Sequence, residues 1–321
     1  MELLSINLKM KYLLLVIYIA QFLIVSNTYC QPFSFVYKTS DYGQKTNTII
    51  HLNVQLLPAR YEASLNLPVC DDNLCANLIV KVFWDLAGNY SGFDTIAGKP
   101  LTKFDHRPFT SADYQKLDEI LQDKNSILRV LEKEELTDKS VKLKSSTVDA
   151  VTGATPASVK EQVVEGAVYS VYTLWHFVNG TLKDSLKKHT VSILSEKLIE
   201  QMLRSENYET QLFGLKQLPP NFFEKNTELL FQTLSKSNSL IQSYIINKIP
   251  LPYSTLDNNK AFAMLYKNLD NYSKSIFINR ILNTKTEAAV FIPIMTEMYL
   301  DKDENLSSKM QQAAVKFEIK Y

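Results

Sequence analysis

Histidine, cysteine and tryptophan number only four, three and two in 321 residues, and glycine only eight, so collagen-like and glycine-rich low-complexity classes are excluded. Charge of one sign is missing too. Lys and Arg (35) nearly balance Asp and Glu (34) at a net +1, which leaves no concentrated basic surface for a phosphate backbone and excludes nucleic acid as a partner. No apolar run reaches the roughly 20 residues a membrane-spanning helix needs. The histidines offer no catalytic set: His51 and His189 have no spaced partners, His176 falls in a helical apolar pattern, and no Ser-His-Asp or Cys-His arrangement can be drawn. His106, in a loop between Asp105 and Arg107, is the one histidine kept as a candidate.

What is present begins with an export signal. Lys9 and Lys11 precede the apolar run Tyr12 to Val25, and polarity returns at Ser26, Asn27 and Thr28, the order of a secretory signal. Residues 1–30 are therefore expected to be removed, giving a periplasmic or secreted chain starting at Gln31 with no further membrane span. Cys30 as a lipid acceptor is the alternative, but Asn27, Thr28 and Tyr29 fit the lipoprotein pattern badly. Cys70 and Cys75 then remain in an oxidising compartment, and a small-loop disulfide between them is expected. Without histidine partners they cannot complete a zinc site, and four intervening residues do not match a two-residue redox spacing. Asn-x-Ser/Thr triplets at Asn89, Asn179, Asn271 and Asn305 would accept glycans only in a eukaryotic secretory pathway.

Between Ile49 and Phe93 the chain alternates. Tyr61 to Leu67 and Leu78, Val80, Val82 and Trp84 predict strands, Asp85 to Asn89 a turn, and Tyr90 to Ile96 a returning strand. Thr110 or Ser111 can cap a helix carrying Tyr114, Leu117, Ile120 and Leu121 on one face. The charged stretch Glu132 to Lys144 reads as a solvated connection. From Pro156 to Val178, nine apolar residues, among them Val159, Val163, Val171, Leu174 and Trp175, share one helical face. The expected unit at 31–181 is α+β, a small antiparallel sheet with packed helices.

After Thr190 the pattern is helical and repeats, so residues 190–321 predict an all-α unit. Gln211 to Leu218 aligns with Gln242 to Ile249 at an offset of 31 and with Lys274 to Ile281 at a further 32. Leu203, Leu234 and Tyr266 keep the same step in the preceding helices. Helical pairs near this period stack into solenoids, and the arrangement resembles HEAT repeats. A binding module that holds an unknown protein partner on these repeats is one functional expectation.

Chemistry concentrates in Asp149-Ala150-Val151-Thr152-Gly153-Ala154-Thr155-Pro156. Thr155 stands where a helix cap belongs and Pro156 where the first helical residue belongs. The same helix start is a potential phosphate site, since its free N–H groups and positive dipole end attract anions. Asp149, Thr152, Gly153, Ala154 and Thr155 resemble the Asp-x-x-Ser/Thr-Gly-Ala-Thr motif of the FMN-binding domain in the C subunit of sodium-pumping NADH:quinone reductases and the G subunit of Rnf complexes. A chance match is on the order of one chain in a thousand of this length.

That resemblance covers about Ala76 to Gly180 and implies FMN, joined through its phosphate to the Thr155 hydroxyl by an extracytoplasmic flavin transferase. It also implies electron transfer as the function, with the flavin carrying the redox chemistry. His106 falls in the segment Asp105 to Thr110 that stands where the family places residues near the flavin ring. This chain departs from the family by having Ala157 in place of a second Thr.

Overall fold

The computed structural model describes residues 33–38, 45–53, 59–69, 76–104, 106–144, 151–219, 222, 226–249, 263, 266–283, 292, 296–297 and 304–318. The export segment with Cys30, the pair Cys70 and Cys75, and Asp149 lie outside the described residues.

Alternation builds the sheet. In β3 (Arg60–Leu67) Tyr61, Ala63, Leu65 and Leu67 are buried and Ser64 and Asn66 face solvent. They pair in register with Trp84, Val82, Val80 and Leu78 of β4 (Leu78–Trp84), so one face of both strands enters the core. β5 (Tyr90–Thr95) follows, and β2 (Lys45–Asn53) and β1 (Phe33–Lys38) precede, giving a five-stranded antiparallel sheet in chain order. β1 and the first half of β2 lie ahead of the expected start at Ile49. The β4–β5 turn is tied by Asp85, whose Oδ1 accepts from the N–H groups of Ala87 and Asn89 at 2.8 Å. Gly88 adopts φ +70 there, and a Cβ on it would meet the Lys183 carbonyl oxygen at 2.8 Å.

Helix α1 (Ser111–Gln122) is capped by Thr110, with Asp113 completing the capping box. Its buried residues Leu117, Ile120 and Leu121 match the expected face. Three local expectations are corrected. The stretch Glu132 to Lys144 is not wholly a solvated connection: it holds a 3-10 turn (Lys133–Leu136) with Leu136 buried, then β6 (Asp138–Lys144). β6 pairs antiparallel with β7 (Val151–Ala154), so Thr152, Gly153 and Ala154 form a strand and not a helix-opening turn. The expected helix Pro156 to Val178 is two, α2 (Ala157–Lys160) and α3 (Val168–Asn179), broken near Gly166 at φ +76.

All nine apolar residues of that predicted face are nevertheless buried, because the broken segment keeps them against the sheet. Trp84 Nε1 donates to the Val178 carbonyl at 3.2 Å, locking sheet to helix. Trp175 Nε1 reaches the Asp123 carbonyl at 2.9 Å.

Residues 182–189, between the two expected units, belong to α4 (Leu182–Ser192), whose Leu182, Leu186 and Thr190 are buried. Tyr61 bonds from the sheet to Thr190 Oγ1 at 2.8 Å and to His189 Nδ1 at 2.9 Å, and Thr190 donates to the Leu86 carbonyl at 2.7 Å. Helices α5 (Glu196–Leu203), α6 (Tyr208–Lys216), α7 (Thr227–Lys236), α8 (Ser239–Lys248), α9 (Asn271–Leu282) and α10 (Glu304–Lys316) follow. α5 packs on α6 and α7, and α8 packs on α6, α7 and α9. One contiguous apolar core runs from Ile50 to Phe317.

Candidate functional site

Thr155 follows β7 and is half-buried. It is not the helix cap. Pro156 holds that position, with φ −57 and ψ 148, and makes no side-chain cap bond, because proline fixes φ and an extended ψ ends the strand geometry only after it. The helix it opens has four residues, too short for the dipole end expected to hold an anion. The Thr155 hydroxyl makes no hydrogen bond among the described residues.

His106 lies elsewhere. It is exposed, adopts φ 60, and closes a loop in which its N–H reaches the Lys103 carbonyl and the Lys103 N–H reaches the Arg107 carbonyl, both at 2.9 Å. This loop is seated on the start of α3, since Phe104 N–H donates to the Gly166 carbonyl at 2.6 Å. A cleft of about 40 Å³ separates Phe104 and His106 from Gly166, Tyr169 and Ser170. Ala167 at the α3 cap offers no side-chain acceptor to the first turn. Thr155 is not among the described residues that line this cleft. Lys103 at its rim is held by Asp113 at 3.0 Å. Burial acts to raise the Asp113 carboxyl, but hydrogen bonds from Thr110 and Lys103 outweigh it and keep it below the ordinary carboxylate value.

Two of the other three histidines are packing residues. His176 is half-buried, bonds to the Leu128 carbonyl at 2.9 Å and lies 4.3 Å from the Tyr172 ring centroid. His189 belongs to the sheet–α4 contact, and His51 is exposed on β2. Among the described residues no group of three or more metal-binding side chains occurs, and no helix is long and apolar enough to cross a membrane.

Two further arrangements escaped the sequence pattern. Asn89, Gln122, Asn179 and Asn207, from four separate segments, meet around one cavity. Tyr208, Leu240 and Tyr272 stand exposed at the starts of α6, α8 and α9. The second had a visible signal, a spacing of 32 residues, hidden because it falls on polar-looking helix starts.

The chain matches no protein-family profile, no curated protein and no solved structure.

Proposed function

We propose that this chain is an exported flavoprotein-like protein that carries FMN through a phosphoester on Thr155 and serves in electron transfer. The carrying observation is the state of that hydroxyl: with the cap position taken by Pro156, Thr155 is half-buried and uncommitted, and its oxygen is available to a transferase. The residue match Asp149, Thr152, Gly153, Ala154, Thr155 supports recognition by such an enzyme. Bound FMN would supply one- and two-electron redox chemistry. The chain itself supplies the hydroxyl and holds it on the end of the β6–β7 hairpin. The cleft beside His106, at about 40 Å³, is well below the roughly 300 Å³ at which small-molecule pockets begin, so His106 is not assigned the wall of a closed ring pocket. The test is co-expression with an exported flavin transferase, then denaturing electrophoresis and in-gel fluorescence. Wild type should fluoresce and Thr155→Val should not; a dark wild type, under conditions that label a known member of the family, sinks the reading.

A second reading, a binding module built on short HEAT-like repeats, is favoured by one observation. Tyr208, Leu240 and Tyr272, 32 residues apart at the starts of three helices, are 47, 50 and 64% exposed. Tyr208 lines a groove of about 560 Å³ that includes Arg204, Gln232 and Lys236. Exposed apolar rows rimmed by polar groups mark protein-interaction surfaces. A photo-crosslinker placed at Tyr208 or Tyr272 should trap one defined species in the native compartment, whereas the same group at exposed Val130 should not; equal labelling at all three positions excludes this surface.

A further inference from the structure

Where the β4–β5 turn meets the ends of α1 and α3 and the start of α6, the structure holds a cavity of about 290 Å³. Its lining is polar, with four primary amides from Asn89, Gln122, Asn179 and Asn207 beside Tyr90, Ser91 and Lys124.

The hydrogen bonds behind the cavity fix how three of those amides are turned. Asn89 is 3% exposed, and its Nδ2 donates to Asp85 Oδ2 at 3.0 Å and to Thr210 Oγ1 at 3.1 Å. A carboxylate only accepts, so this amide cannot be reversed, and its Oδ1 is left buried without a partner. Such an orphan acceptor is uncommon, and its oxygen has almost no accessible surface, so a ligand in the cavity meets the other amides. Asn179 Nδ2 donates to the Leu121 carbonyl at 3.0 Å, and Gln122 Nε2 to Asp118 Oδ2 at 2.6 Å. Both partners are again pure acceptors, so each side chain has its carbonyl oxygen left over. Asn207 is the reverse. Its Oδ1 caps α6 by accepting from Glu209 N–H at 2.9 Å, which leaves its NH₂ as a donor. The exposed Ser91 hydroxyl can do either.

At the rim Lys124 Nζ lies 2.6 Å from Glu209 Oε1, and Lys183 Nζ approaches the same carboxylate at 3.5 Å. Tyr90 directs its hydroxyl to Asp118 at 2.6 Å and is thereby committed. What remains around a space near the lower end of small-molecule pockets, about 300 Å³, is the amide oxygens of Asn179 and Gln122, a second N–H on each, the Asn207 NH₂ and the Ser91 hydroxyl, a mixture of acceptors and donors.

That inventory selects a ligand. A carboxylate or phosphate can only accept, and would leave the Asn179 and Gln122 oxygens without a donor. An aliphatic group would leave every amide unsatisfied. A metal cation would find no carboxylate in the lining and an ammonium in it. A neutral ring bearing several hydroxyls, each able to donate to an amide oxygen and accept from an amide NH₂, satisfies all of them at this size. We propose that the cavity formed by Asn89, Gln122, Asn179 and Asn207 binds one neutral sugar ring, either a free monosaccharide or the terminal unit of a glycan.

The test uses the full chain with glucose, galactose, mannose and N-acetylglucosamine singly, and each as its methyl glycoside, followed by saturation-transfer-difference NMR and titration calorimetry. At least one sugar should bind saturably, and phosphate and calcium should neither bind nor compete. Gln122 is exposed, so Gln122→Ala should fold normally and weaken binding about tenfold, as should Asn179→Ala. Thr155→Val, outside the cavity, should leave binding unchanged. Retained binding of methyl glycosides assigns the site to glycan ends, and binding of free sugars only assigns it to monosaccharides. No saturable binding by any sugar well above about 1 mM, or binding indifferent to both Gln122→Ala and Asn179→Ala, overturns the proposal.

Discussion

Gln211 and Gln242, 31 residues apart, make the same pair of bonds in successive helical pairs. Each Nε2 donates backward to the carbonyl eight residues earlier, Leu203 or Leu234, at the end of the preceding helix. Each Oε1 accepts forward from the connection of the following pair, the Ser237 hydroxyl at 3.1 Å or the Asp270 N–H at 3.3 Å. A buried amide thus joins one pair of helices to the next. Gln211→Leu should cost about 1–3 kcal/mol, since it removes the donor to the Leu203 carbonyl, and Gln242→Leu should cost a similar amount, since it removes the acceptor of the Asp270 N–H. Urea denaturation measures both. A change below about 0.5 kcal/mol in each would show that the bonds carry no net stability.

The sheet is tied to the helical stack through Asp85 and Thr210. Thr210 Oγ1 donates to Asp85 Oδ2, the oxygen that also holds Asn89. Thr210 is 3% exposed, so loss of either partner leaves the other desolvated. Asp85→Ala and Thr210→Val should each destabilise, and their double-mutant cycle should show coupling of about 0.5–3 kcal/mol. Simple additivity would mean that the contact is incidental.

Acid should weaken the fold through two imidazoles. Burial holds His176 below its ordinary value, partly offset by the Leu128 carbonyl and Glu132, and burial alone does so for His189. In each case the unfolded chain takes up the proton more readily. The stabilisation is therefore full above the unfolded value of 6.5 and is lost as pH falls from there through the folded pKa. The urea midpoint should drop between about pH 7 and 5, and His176→Gln with His189→Gln should flatten that drop. The carboxylates held low by Lys neighbours, such as Glu209 against the opposing effect of burial, act only further into acid. An unchanged slope in the double variant would assign the drop to other groups.

Much of this architecture was legible because one-sided burial leaves a period in the sequence. The alternation of Tyr61, Ala63, Leu65 and Leu67, the cap at Thr110 and the nine-residue apolar face near Val171 all had that source. The periods failed where burial was not what distinguished the alternatives. The apolar face from Val159 to Val178 gives the same pattern whether it lies on one helix or on two segments broken near Gly166. β6 was masked by its lysines, and what identifies it is its pairing with β7. The amide cavity had no signal in spacing, because it joins a turn, two helix ends and a cap drawn from residues 89 to 207.

Two threonines that read alike now part. Thr110 and Thr155 were both expected to cap helices, and only Thr110 does: its Oγ1 accepts from the Asp113 N–H at 3.3 Å, and Asp113 accepts in return from the Thr110 N–H at 2.8 Å. Thr110→Ala should therefore cost about 0.5–2 kcal/mol. Thr155→Val keeps the shape and removes a hydroxyl that bonds to nothing among the described residues, so it should stay within about 0.5 kcal/mol of wild type. Thermal or urea unfolding of the two variants side by side is the measurement. If Thr155→Val proves as costly as Thr110→Ala, the Thr155 hydroxyl has a structural partner, and its availability for a phosphoester falls away. If it is neutral and dark in the flavin assay while wild type is bright, the hydroxyl is held in place for chemistry and not for the fold.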